Sequence, residues 1–416
     1  VDAAGSDATL EAGVDSPVPR EAGAGDASRD AAGDAAAADA GPPSLFEDTS
    51  DGIHAFLTFD YRVTDIAAAA AHDVYAWGND QGHVAAYRAS SNPKIVLSSY
   101  IPWTRDPDAT HDLAYWNTQH PDWVVYACDR TTPVKEFTDP NLTLDISNPA
   151  VIAWQADSYG LPASQAGYDA IAADNFELSN AFGACGVFRG GQWVGLYSGP
   201  TDPKYTADAL AWTALFRQKL QAFPRPLGLI PNFSLNGLAA NDPSVVALVS
   251  HVDAILDEAG YTRYGQGPAT GSEWLAIESF VTYVQGQGKG YFSINQQAGA
   301  TVDRPAIQWA LASYLMSKEH ASGIYVSGQQ GYGADNYTPE YSAAIGTPCG
   351  AMQPAAQGLY TRAFQHALAI VNPTTSAASF TLPSGAFTDL YGSPLTGNVP
   401  LAPTTGMVLL ANPPRC

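Results

Sequence analysis

Short apolar runs alternate with longer amphipathic stretches from residue 53 to about residue 354. The apolar runs predict strands at His54–Tyr61, Lys94–Trp103, Leu142–Ile146, Tyr168–Asp174, Leu227–Asn232, Val252–Glu258, Gly290–Asn295 and Gly323–Ser327. Between them, helical spacing is clearest at Thr206–Phe223, Ser272–Gln285 and Arg304–Ser317. The strands are nearly continuous in apolar residues, which is the pattern of parallel strands covered on both faces. Eight such strands with helices between them predict an α/β chain, a (β/α)8 TIM barrel over residues 48–354, with a long insertion at 104–141. Past residue 355 the spacing shortens. Strand-like pieces at Ala363–Asn372, Ala378–Leu382, Ala386–Leu390 and Met407–Leu410, separated by Gly, Pro, Asn and Ser, predict a small antiparallel, sandwich-like β domain over 355–416.

Composition changes the picture mainly at the N-terminus. Of the net charge of -22, much comes from residues 1–47, which carry ten acids against two arginines in an Ala/Asp/Gly-rich stretch. So few branched or aromatic residues cannot offset ordering entropy, and a disordered leader is expected there. No basic run is present to neutralise phosphates, so nucleic acid is not an expected partner. No stretch is long and apolar enough for a transmembrane segment. The leader resembles the tether of a protein secreted from, or tethered to, a bacterial cell surface. Four widely spaced cysteines, Cys128, Cys185, Cys349 and Cys416, fit two disulfides in an oxidising compartment. The pairing Cys128–Cys185 with Cys349–Cys416 is favoured, although spacing leaves the connectivity open.

Candidate chemistry lies where strands end, because a barrel of this type keeps its active site on the C-terminal rim. Gly167–Asn175 reads as a buried strand that finishes on Asp174 followed by Asn175. Val252–Gly260 repeats that grammar and finishes on Asp257 and Glu258. Side chains alternate along a strand, so one of these two acids faces the rim while the other turns outward; Glu258 is taken as the rim residue, with Asp257 the alternative. Asp174 and Glu258 are the expected catalytic pair, and two carboxylates facing one sugar suffice for glycoside hydrolysis. Asp60, Asp145, Asn232 and Asn295 end other strands and are expected to bind substrate. Tyr61, Trp103 and Tyr325 are expected to offer flat faces to sugar C–H groups, with Trp116, Trp123 and Tyr332 as further candidates. No HxxxH or HxH pair, no GxSxG elbow and no true phosphate loop occurs (Gly286–Gly290 has the wrong spacing), so neither a metal nor another cofactor is expected.

Leu144-Asp145-Ile146-Ser147-Asn148-Pro149-Ala150-Val151 and Gly167-Tyr168-Asp169-Ala170-Ile171-Ala172-Ala173-Asp174-Asn175 resemble the LDxxNP and GYDGIFLDN signatures of barrel glycoside hydrolases. The nearest group is the hypothetical glycosyl hydrolase family numbered fifteen, similar in turn to endo-α-polygalactosaminidases and more distantly to the α-galactosidase superfamily. Ala369–Pro373 through Asp389–Gly392 is similar to the small β domain that follows such barrels. A monomer is expected, although the sequence does not reveal the oligomeric state, and the resemblance implies a retaining hydrolase of an α-linked poly- or oligosaccharide. Asp174 would be its nucleophile, aided by Asn175, and Glu258 its acid/base. Ala172-Ala173 replaces a bulkier pair, and the match around Glu258 is looser. An inactive barrel that binds carbohydrate at the cell surface is the alternative, favoured if Asp257 and Glu258 both turn from the rim.

Overall fold

A computed structural model describes residues 44–108, 110–136, 141–299 and 301–416. The leader expected over 1–47 therefore falls largely outside the described residues. Its last part does not: Phe46 is buried, with its ring 5.3 Å from Tyr75 and 4.8 Å from Phe292.

In chain order the strands are β1 (Ala55–Thr58), β2 (Asp73–Trp77), β3 (Val96–Pro102), β4 (Ala170–Asp174), a surface hairpin of β5 (Gly186–Arg189) and β6 (Gln192–Gly195), then β7 (Gly228–Pro231), β8 (Ala254–Asp257), β9 (Gly290–Gln297) and β10 (Ser322–Gly328). Eight of them form one parallel sheet in the order β7-β4-β3-β2-β1-β10-β9-β8. A parallel bridge between Asn232 and Leu256 joins its two ends and closes the barrel. Alternate side chains fill the interior. Phe56, Tyr75, Trp77, Ala170, Ala172, Ile230, Leu256, Phe292 and Tyr325 pack there as one cluster. Ile171, Ala173, Leu229 and Ile255 point the other way, into the helical layer. The small pair Ala170 and Ala172 gives room to the large rings opposite, so the alanines of that strand are a packing choice.

Two strand assignments need correction. The second barrel strand is Asp73–Trp77, and Lys94–Trp103 holds the third. A seven-residue alanine-rich helix, Ile66–His72, runs directly into β2 without a glycine or proline between them, so no punctuation marks the change. Leu142–Ile146 has strand-like residues but lies in the insertion after β3. There Leu142, Thr143 and Leu144 make only isolated antiparallel bridges, to Lys135, Arg105 and Val124.

The long helices follow from capping as well as periodicity. Pro203–Gln221 begins at Asp202, whose carboxylate accepts from Lys204 N, and Arg304–Ser317 begins at Asp303, which accepts from Ala306 N. Each has proline in its first turn, where no donor is lost. Gly271–Gly286 lies between them in the chain. Every residue from Ile307 to Ser317 is buried, since one side of that helix meets the barrel and the other meets the C-terminal sheet.

That sheet is antiparallel. The stretch expected as one strand, Ala363–Asn372, folds as a hairpin of Tyr360–Phe364 and Ala367–Asn372 with Gln365-His366 at its turn. Thr405–Asn412 pairs beside it. Arg362 ties the sheet to the barrel. It is fully buried and donates to the carbonyls of Leu315 (3.2 Å), Met316 (3.1 Å) and Lys318 (2.6 Å), where the helix ends, and to the Glu319 carboxylate at 2.6 Å. A cation at the negative end of the helix dipole satisfies carbonyls that the helix itself leaves free. The disulfides are Cys128–Cys185 and Cys349–Cys416, as favoured from the sequence. The first joins the insertion after β3 to the loop after β4, both on the C-terminal rim.

Candidate active site

The parity of each strand decides what reaches the mouth of the barrel. Ala170 and Ala172 point inward on β4, and Asp174 continues that side. Ala254 and Leu256 do so on β8, and Glu258 follows them. Ile230 on β7 leads to Asn232. These three side chains meet. Asn232 Nδ2 donates to Asp174 Oδ1 at 2.9 Å and to Glu258 Oε2 at 2.8 Å. Tyr100 on β3 donates its hydroxyl to Asp174 Oδ2 at 3.0 Å. Tyr332, in the loop after β10, donates to Glu258 Oε1 at 2.9 Å, and Thr58 Oγ1 on β1 donates to Tyr332 Oη at 3.2 Å. All four carboxylate oxygens thus carry a donor. Donors from β3, the end of β7 and the β10 loop converge on the acids at the ends of β4 and β8, and Thr58 on β1 supports one of those donors.

The surroundings of Glu258 raise its affinity for a proton. Burial pushes the Glu258 carboxyl above its usual range and the Asp174 charge pushes it further, against the opposing hydrogen bonds from Asn232 and Tyr332. Burial first, and then the carboxylate each one touches, holds Tyr100 and Tyr332 far above the ordinary phenol range, so both remain donors.

Asp257 takes no part in this cluster. It is buried on the outer face, where Ser234 Oγ (2.5 Å), Tyr291 Oη (2.6 Å) and Gly260 N (3.2 Å) donate to it. A cavity of about 640 Å³ opens beside it, lined by Ser234, Asn236, Arg263, Tyr264 and Glu273 among others. That cavity flanks the Asp174–Glu258 pair without containing it. At the pair, acids that follow two different strands share one donor nitrogen.

Several residues expected at the rim are elsewhere. Asp60 is buried and accepts from Asp80 N at 2.7 Å and pairs with His83 Nδ1 at 2.9 Å. The left-handed backbone of Phe59 (φ 50°) interrupts the alternation and turns Asp60 outward. Phe59 itself takes the inner side, with its ring 5.2 Å from Trp77, 5.6 Å from Tyr100 and 5.7 Å from Tyr332. Trp103 has no exposed surface. It packs on Phe176 and Trp212 in the helical layer and donates Nε1 to Asn175 O at 2.7 Å, so it offers no platform. Trp116 and Trp123 are likewise buried, in the insertion's own core. Asp145 accepts from Ser147 N and Oγ and pairs with Arg189 at 3.0 Å. Asn295 accepts from Tyr261 N at 2.9 Å and bonds Ser293, holding the loop after β8. Tyr325 lies inside the barrel with its hydroxyl on the carbonyls of Gly331 and Ala334, under the loop that carries Tyr332.

Asn175 also differs from expectation. Its backbone is left-handed (φ 58°), and its side chain favours the charged form of Glu136. Glu136 comes from the insertion, has no exposed surface, and bonds Thr104 and Arg105, the latter at 2.8 Å. Burial pushes it up to about 7 against the pull of Arg105, and the Asp174 charge adds to the rise. Tyr61 alone of the expected platforms is open, 58% exposed and 6.0 Å from the Phe59 ring. Its ring lies over Gly333, where a Cβ would come within 2.5 Å of it; the φ of 78° there also favours glycine.

Tyr100, Phe59 and Glu136 are the residues that reading strand ends misses. Strand parity was the available signal for Tyr100, which lies on the same side of its strand as Ser98. Nothing in the local sequence marks Glu136.

No protein-family model matches the chain, and no curated protein matches it either, so the particular family suggested by the signature residues gains no support from those comparisons. Solved structures do match. The fold is similar to that of a GH27 β-L-arabinopyranosidase from Geobacillus stearothermophilus in complex with arabinose, with a TM-score of 0.50 and 10% identity over 88% of this chain and 98% of that one. The glycoside hydrolase domain of PelA from Pseudomonas aeruginosa also matches, with a TM-score of 0.43 and 11% identity over 65% of this chain and 94% of that one. The likeness to the arabinopyranosidase is one of fold: a closed parallel barrel followed by an antiparallel sheet.

Proposed function

We propose that this chain is a retaining glycoside hydrolase, with Asp174 as nucleophile and Glu258 as acid/base, acting on an α-linked poly- or oligosaccharide. The observation that carries the reading is the sharing of Asn232 by the two acids. Since both oxygens hydrogen-bond one nitrogen, they stand no more than about 5.7 Å apart, close to the ~5–5.5 Å of retaining sites and short of the ~6.5–9.5 Å that leaves room for an inverting water. The α-linkage rests on the family resemblance alone.

In the first step Glu258 passes its proton to the glycosidic oxygen as the bond from that oxygen to the anomeric carbon breaks, and an Asp174 oxygen bonds to the same carbon. In the second step Glu258, now a carboxylate, takes a proton from water, the water oxygen bonds to the anomeric carbon, and Asp174 leaves. The raised affinity of Glu258 for its proton suits the first step, and loss of the Asp174 charge on glycosylation suits the second. Asn232 and Tyr100 do for Asp174 what the sequence led us to expect of Asn175. Tyr61 and Phe59 supply an aromatic wall for the sugar's apolar face. The two disulfides fit an oxidising, extracellular setting, and no helix among the described residues is long and apolar enough to cross a membrane.

Reducing ends released from a panel of bacterial and fungal α-glycans test the reading, with Asp174→Asn as control. Cleavage by the wild type that the variant loses supports it. Tight binding without cleavage by either protein replaces it with the carbohydrate-binding alternative, which the inward turn of Glu258 does not favour.

A further inference from the structure

On the outer wall of the barrel, away from the paired acids, His72 closes the helix Ile66–His72 and Asp73 opens β2. The loop after β10 runs down this wall and brings Asp335 to them. His72 Nε2 lies 3.2 Å from Asp335 Oδ2, and His72 Nδ1 lies 3.4 Å from Asp73 Oδ1. One ligand atom from each of the three residues falls within 4.8 Å of the other two. Two features distinguish this cluster from an ordinary surface ion pair. Asp73 is 2% exposed, yet its Oδ2 has no hydrogen-bond partner. The Nδ1 of His72 is also buried and makes no well-formed hydrogen bond, only the 3.4 Å ion-pair contact with Asp73. An unpaired carboxylate oxygen at such depth is costly, and protein polar groups in that situation ordinarily hold a partner. A small gap bordered by Asp73, Asp335 and Asn336 adjoins them.

We propose that His72, Asp73 and Asp335 form a binding site for a divalent cation of the zinc type. One imidazole and two carboxylates suit Zn2+, whose N and O ligands sit at about 2.0–2.2 Å, and the three side chains would have to draw together around one imidazole nitrogen to bind it. Tyr337 stacks on the His72 ring at 4.0 Å and fixes its plane. Binding takes the imidazole lone pair, so a proton held there is released to solvent and no redox change occurs. The ion would pin the loop Gln329–Ser342 to the first helix. Histidine spacing does not reveal the site, because its ligands are one His-Asp dipeptide and an aspartate from the far end of the barrel. The proposal is independent of the glycosidase reading.

Calorimetric titration of Zn2+ into the untagged, zinc-free full chain, in two buffers of different ionisation enthalpy, tests it. The expected result is one saturable ion per chain, proton release, and an upward shift of the unfolding midpoint. Asp335→Ala should weaken affinity at least about 10-fold and abolish the zinc-induced shift, read against its own zinc-free midpoint. His72→Ala should weaken affinity likewise and also remove the proton release. Absence of saturable binding, or wild-type affinity in Asp335→Ala, overturns the proposal and leaves an imidazolium held between two carboxylates.

Discussion

Asp174 and Glu258 accept hydrogen bonds from the same nitrogen, Asn232 Nδ2, at 2.9 and 2.8 Å. The bridge converts two separate strand ends into one site. It also couples the acids, since the charge of Asp174 favours the protonated form of Glu258. In a barrel the strands are fixed by neighbours on both sides, so this spacing is set by the sheet and not by a loop.

Replacing Asp174 by Asn removes the nucleophile but leaves a side chain of the same shape between Tyr100 and Asn232. We expect kcat/KM on a cleaved glycan to fall on the order of 10³-fold or more, which is about 4 kcal/mol of transition-state stabilisation. The unfolding midpoint should not fall. Turnover near the wild-type rate would remove Asp174 from the chemistry.

Tyr332→Phe takes away a donor that favours the Glu258 carboxylate. The proton is then held more tightly, so the alkaline limb of the kcat/KM profile should move to higher pH. A limb that stays in place or moves to lower pH would assign the titration to another group.

Glu258→Gln tests the same group through stability. Burial raises the folded-state value above the ordinary 4.5, so the folded protein binds this proton more tightly than the unfolded chain does. Wild-type stability should therefore fall, relative to the variant, as pH rises from 4.5 to the raised value, and the whole penalty remains above it. Urea melts of both proteins at pH 4 and pH 7 measure this. A stability difference that does not change between the two would show that the environment of Glu258 leaves its protonation alone.

Arg362→Ala leaves the carbonyls of Leu315, Met316 and Lys318 without their shared donor and Glu319 without its partner. We expect a loss of about 3 kcal/mol or more, measured from urea midpoints. A loss below about 1 kcal/mol would mean that the sheet and the helix hold together without this cap.

Much of the site was legible because an inward strand position remains inward wherever the strand stays regular. Asp174, Asn232 and Glu258 obey that rule, and the choice of Glu258 over Asp257 as the rim acid is also one of parity. The same rule put Asp60 at the rim, where it failed. A single left-handed residue, Phe59, reversed the alternation, and no local signal marks a phenylalanine for that conformation. Trp103 failed differently. Pro102 ends the inward side of β3, so the next residue faces the helices, and Tyr100 is the aromatic that reaches the acids.

Periodicity and composition by themselves determined the class of fold, the separate C-terminal sheet and the acids at two strand ends, because burial on both faces makes a strand an unbroken apolar run whose polar end residues stand out. Tertiary structure alone decided which donors those acids meet. Tyr100, Tyr332 and Asn232 come from elements far apart in the chain, and only closure of the sheet between β7 and β8 brings them to one place. The backbone at Phe59 and the path of the loop bearing Tyr332 depend on packing against neighbours that no local window of residues contains.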